Sequence, residues 1–324
     1  MKIIKRVLAV AVSLALLAWL MSADRWRGLG EVVGRVDGLT LGLATAGFLL
    51  SYLLRTLRVF DEFRAQAKGR FGACLRIVLI HNAMVNVVPF RGGEAAFPLL
   101  LRQSFGIALP RAIASLFWFR LQDAFVVLAL AALVWPGLHP ALKALAVAGV
   151  LTLAWWLPRW ARAPHAWADG SGLTAKFAKV RDAFAESTRH ARYGWVWTIA
   201  NWTVKLAAQA GLLAALIPAA ANVGAAGALG AELAAILPIQ GVAGFGTYEA
   251  GAAAAMLPSG VALTSGLQAA LALHLFVIAC AVTSGAIAWL FPSATARETT
   301  GTAPSDIQSA SSAADGAPTR SSAE

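Results

Sequence analysis

Residues 73–101 read ACLRIVLIHNAMVNVVPFRGGEAAFPLLL, and the fold turns on this stretch. It is apolar enough to enter a bilayer, yet Pro89, Gly92 and Gly93 interrupt it midway, and Arg91 and Glu94 place charge there. An unbroken helix is disfavoured, because proline removes a donor and clashes with the preceding turn. Broken backbone inside hydrocarbon leaves N–H and C=O groups unsatisfied unless protein or a water-filled cavity covers them. The stretch therefore predicts two short helical legs joined at a tip that faces an interior cavity.

The rest of the chain makes the bilayer the solvent. Of 324 residues 59% are hydrophobic and 13% charged, against about 25% charged in soluble domains. Apolar runs near the roughly 20 residues that cross a hydrocarbon core recur throughout: Val7 to Met21, Leu39 to Leu54, Ala112 to Val134, Pro140 to Leu157, Gly194 to Ile217 and Gly266 to Phe291. These are about six full spans. The first follows Lys2, Lys5 and Arg6 and reads as an uncleaved helix, the alternative being a signal peptide cut near Ala23. A net charge of +11 does not imply nucleic acid, since Lys and Arg fall mainly between apolar runs and form no exposed basic domain.

Loop charge gives orientation. Lys2, Lys5 and Arg6 put the N-terminus in the cytoplasm; Arg55, Arg58, Arg64, Lys68 and Arg70 put the second loop there, and Arg159 to Arg192 is basic as well. The neutral turn Trp135 to His139 is then external. Ala73 to Leu101 must enter and leave on the cytoplasmic side, as a re-entrant hairpin. By the same counting Ala225 to Leu257 dips in from outside, and the C-terminus is cytoplasmic. Pro89-Phe-Arg-Gly-Gly-Glu94 is echoed weakly by Pro238-Ile-Gln-Gly-Val242 with Glu249 further on. Helix, hairpin and helix on each side would form an inverted repeat, with a binding site near the midplane. The expected class is an all-α polytopic bundle of residues 1–291, followed by a disordered tail, 292–324, rich in Ser, Thr, Ala and Gly. Residues Thr174 to Arg189 read equally as a short interfacial helix, carrying Phe177, Val180 and Phe184 at helical spacing, or as a plain basic loop.

Charge in a bilayer costs at least a few kcal/mol unless paired or hydrated. Arg91 with Glu94, and Arg120 with Asp123, are each spaced for an i,i+3 ion pair. They are either structural locks or arginines aimed at an anionic headgroup, since guanidinium binds phosphate bidentately. Asn82 and Asn86 share a helix face beside His81. Asn201, Lys205 and Gln209 form a polar stripe, and Lys205 requires Glu249 or Glu232 as partner. Gly92, Gly93, Gly241, Gly244 and Gly246 mark the tips, with Gln240 in the second. His274 reads as a packed histidine. Cys74 and Cys280 read as small buried hydrophobes. No catalytic, cofactor or metal signature emerges: there is no phosphate loop, zinc pattern or nucleophile elbow.

The run Asn86 to Glu94, then Arg102, Ser104 and the Arg120-x-x-Asp123 pair, resembles the transmembrane domain of lysylphosphatidylglycerol synthetases and their stand-alone, flippase-like relatives. Leu237-Pro-Ile-Gln-Gly-Val-Ala-Gly-Phe-Gly-Thr-Tyr-Glu249 is similar to that family's second glycine-rich segment. The resemblance implies a bacterial inner-membrane protein that moves an amphipathic lipid or lipid-linked precursor between leaflets, with membrane lipids of anionic headgroup as partners. A second copy of the chain or a lipid-synthesis enzyme is a further expected partner. It does not carry aminoacylation, because no aminoacyl-transferase domain is present in these residues. Ala95, Ala96 and Phe97 stand where the family more usually has a basic residue, which leaves the headgroup open. The residues expected at a binding site are Asn86, Arg91, Gly92, Gly93, Glu94, Arg120, Asp123, Lys205, Gln240, Gly241, Gly244 and Glu249. Two other readings stay open: a membrane-embedded enzyme acting on a lipid phosphate or polyprenyl carrier, and a scaffold for lipid synthesis.

Overall fold

The computed structural model describes residues 30–135, 137–165, 172–236 and 242–290, apart from the side chains of 89–91 and 242. All described elements are helical. Five helices are long and apolar enough to cross a membrane: α1 Gly38–Glu62, α4 Leu109–Val134, α5 Pro140–Arg162, α7 Gly194–Leu216 and α10 Leu263–Leu290. They match five of the six expected spans; the sixth, Val7 to Met21, and the tail beyond Phe291 lie outside the described residues. At about 1.5 Å rise per residue the shortest of these helices, at 23 residues, exceeds the roughly 30 Å hydrocarbon thickness.

The two interrupted regions are interrupted in the structure. The first comprises α2 Phe71–Val87, a 3-10 turn Pro89–Ala95 and α3 Ala96–Phe105; the second comprises α8 Ala221–Ile236, a 3-10 turn Val242–Gly244 and α9 Thr247–Met256. Between Arg162 and Gly194 lies α6 Leu173–Ser187. It is a helix, not a plain loop, and Phe184 packs edge-on against Phe117 and Trp118 while Phe177 and Val180 stay exposed.

One boundary departs from the sequence reading. Helix α1 does not stop at Leu54 but runs two further turns to Glu62, and takes Arg55 and Arg58 with it. These arginines are therefore not loop charges. The helix begins where Asp37 accepts from the Thr40 amide at 2.8 Å and the Thr40 hydroxyl at 2.9 Å, a regular N-cap; this pairing also holds the Asp37 carboxyl below its ordinary pKa.

Packing relates the two halves. Helix α1 lies against α7; α2 lies on α10 as α8 lies on α4; and the two 3-10 turns touch each other. The approach of α8 to α9 is close because a Cβ at Gly230 would overlap the Gly251 carbonyl and one at Gly251 would meet Gly230. Small residues let backbones approach this way where lipid supplies no hydrophobic drive between helices.

Candidate functional site

The first break is set by covalent constraint before any side chain acts. Pro89 opens the 3-10 turn, where its missing N–H costs little. Gly93 then sits on the last turn of α2, where a Cβ would overlap the Met84 carbonyl. This geometry delivers Glu94 to α4, where its Oε1 accepts from Arg120 Nη2 at 2.6 Å. His81 Nε2 lies 3.5 Å from Glu94 Oε2. The expected Arg120–Asp123 pair exists at 3.6 Å, but the shorter bonds of both residues reach other helices. Asp123 Oδ1 accepts from Arg58 Nη1 at 2.6 Å and from Trp202 Nε1 at 2.9 Å. Glu94, Arg120, Asp123 and Arg58 thus form one alternating chain of charge across the 3-10 turn, α4 and α1. Arg58 is 2% exposed, a position tolerable for a cation in low dielectric only with its carboxylate.

The second half is built from α7. Lys205 donates to Glu232 Oε1 at 2.7 Å, which settles its partner in favour of Glu232 over Glu249. Gln209 donates to the same oxygen at 2.7 Å and contacts the Tyr248 hydroxyl at 2.9 Å. Asn201, the third member of the stripe, accepts from Ser51 on α1 at 2.7 Å. Gly246 turns the chain with φ 87°, a conformation that disfavours a side chain, and its N–H donates to Glu249 Oε2 at 2.7 Å. Glu249 Oε1 lies 2.6 Å from His274 Nδ1, and the His274 ring stacks on Tyr248 with centroids 4.3 Å apart. His274 is packed, as its sequence context suggests, and it also holds an acid.

These groups surround a cavity of about 510 Å³ between the two halves. Of the residues expected at a site, Asn86, Glu94, Arg120, Asp123, Lys205 and Gly244 line it. Gly93 is buried in the first break and Gly92 stands exposed beside it, while Glu249 is bound behind the wall through His274. The Arg91 side chain, Gln240 and Gly241 lie outside the described residues. Sequence reasoning missed Arg55, Trp202 and Tyr248, and named Asn82, Glu232 and His274 without placing them on the wall. A signal for the arginines was available. Ser51, Arg55, Arg58 and Glu62 recur at i, i+4, i+7 and i+11, which is one face of a helix. Ser115 seals the end of that face by donating to Glu62 Oε1 at 2.8 Å.

An apolar helical bundle with two broken helices, whose buried charges converge on one cavity, belongs to the class of polytopic membrane proteins with an internal polar site. Within that class, residues 6–285 match the family described as the lysylphosphatidylglycerol synthase transmembrane region. With most of its 324 residues matched, the chain belongs to that family and is a membrane-embedded, multi-pass protein. No curated protein and no solved structure matches it.

Proposed function

We propose that this protein binds the headgroup of a phospholipid or lipid-linked precursor in the cavity between its two broken helices and carries it between leaflets of the bacterial inner membrane. The observation that supports this reading is the cavity itself: about 510 Å³, with ion pairs contributed from both interrupted segments. A purely structural ion pair would be buried and saturated. Arg120 and Glu94 instead keep 34% and 22% of their side-chain surface exposed, toward space a headgroup can fill. A phosphate entering there competes with Glu94 and Glu232 for Arg120 and Lys205, so ligand charge replaces internal charge.

In this reading the two interrupted segments are re-entrant hairpins of opposite direction. Arg64, Lys68 and Arg70 hold the first connection in the cytoplasm together with both chain termini. The residues proposed to contact cargo are Asn86, Arg91, Glu94, Arg120, Asp123 and Lys205, with Gly92, Gly93, Gln240, Gly241 and Gly244 shaping the tips and Glu249 fixing the second. Reconstitution in liposomes with fluorescent phosphatidylglycerol and a membrane-impermeant quencher tests it. Protein-dependent exchange between leaflets is expected, reduced by Arg120→Ala and Lys205→Ala at equal folded protein. No exchange by the wild type, or full exchange by both variants, defeats the proposal.

A further inference from the structure

The cavity's cations are unequal. Arg120 meets Glu94 and Asp123, and Lys205 meets Glu232. Asp123 also neutralises Arg58 behind the wall, so of the three cations that line the cavity, Arg55, Arg120 and Lys205, only the last two have a carboxylate within ion-pair distance. Among the described residues Arg55 forms no ion pair; its guanidinium donates from Nη1 to the neutral Asn82 Oδ1 at 2.7 Å. A guanidinium on a cavity wall with no carboxylate in direct contact is costly.

Asn82 supplies a second, independent sign. With Oδ1 engaged by Arg55, its amide nitrogen must point the other way. That Nδ2 is buried and has no partner, although Asn82 is only 5% exposed and lines the cavity. A buried donor left unmade costs about 1–3 kcal/mol. Arg55 thus meets the cavity from α1, and beside it on α2 the Asn82 amide holds its Nη1 from within the wall. What satisfies the remaining donors of that guanidinium is an acceptor of negative charge with several oxygens.

We infer that Arg55 and Asn82 form the anion subsite of the cavity, holding the phosphate of a phosphate-ester headgroup. This rests on the headgroup reading above and sharpens it. Arg120 and Lys205 already hold internal carboxylates, whereas Arg55 offers its charge without displacing one. Asn82 acts as a positioning group for Arg55.

Calorimetric titration of the detergent-solubilised full chain with dihexanoylphosphatidylglycerol, inorganic phosphate and dihexanoylglycerol, which lacks phosphate, provides the test. The phosphoglyceride is expected to bind the wild type better than dihexanoylglycerol does. Arg55→Gln should weaken its binding about tenfold or more, and Arg55→Lys should recover part of the loss. Asn82→Asp, which gives Arg55 an internal carboxylate and protects the fold, should weaken it similarly. Arg55-dependent competition by inorganic phosphate supports a site for phosphate itself, and Arg55-dependent binding without such competition supports a site for the ester. Unchanged affinity in both Arg55→Gln and Asn82→Asp overturns the subsite while leaving the cavity reading intact. Equal wild-type binding of phosphoglyceride and dihexanoylglycerol overturns both.

Discussion

The two breaks differ in how they are held. The first is latched by a long-range ion pair, Glu94 to Arg120, whose members keep 22% and 34% of their side-chain surface exposed. The second is held by a buried acid: Glu249 caps its own Gly246 amide and binds His274 on α10, with side chains 8% and 4% exposed. Its legs are zipped by Gly230 and Gly251. An exposed ion pair is worth little and yields to a competing ion, whereas a buried one is expensive to break. The comparison teaches that the first break is the more loosely held of the two; under the proposed function it is the part a charged ligand would release, and the second is the wall.

The largest effect that sharpens this contrast is steric. Gly93→Leu drives a side chain into the Met84 carbonyl and is expected to abolish a folded peak in size-exclusion chromatography. Gly246→Ala, strained by its positive φ, should cost about 1–3 kcal/mol and still fold. Next is Asp123→Ala, which strands the buried Arg58 and should destabilise by about 3–5 kcal/mol in reversible denaturation. Glu249→Gln weakens the cap and the His274 contact and should cost about 1–3 kcal/mol, visible as a lower Tm. Glu94→Gln should cost no more than about 1 kcal/mol, with a correspondingly small fall in Tm, while reducing leaflet exchange. If Glu94→Gln melts earlier than Glu249→Gln, the assignment of latch and wall is reversed.

The smallest effect is a control away from both breaks. His190, between α6 and α7, is held below its usual pKa by burial and by the nearby Arg111. The neutral ring is favoured in the fold, so its contribution is present above the unfolded value near 6.5 and fades as pH falls below it. Tm should therefore drop modestly between about pH 7.5 and about pH 5.5, and His190→Gln should remove part of that drop.

Much of the architecture was legible because its cause is local. Hydropathy placed α4, α5, α7 and α10 within a few residues, since bilayer thickness dictates the length of an apolar run. Pro89 and Gly93 announced the first break for covalent reasons. Helix α1 was misread at Arg55 because a charge normally ends a span. Only Asn82 on α2, which accepts from Arg55, and Asp123 on α4, which accepts from Arg58, let the helix carry those charges two turns further in. The choice of Glu232 over Glu249 for Lys205 was equally invisible, as both acids lie on the same interrupted segment.

By itself, then, the sequence determined that this chain lives in a membrane, where it crosses, where its helices break and which charges need company, because solvent, proline and glycine act within a few residues. Only the tertiary structure decided which charge meets which, and that Arg55 lacks an ion-pair partner among the described residues. Ion pairing depends on distances between helices that are tens to hundreds of residues apart in sequence, and no local pattern encodes those distances.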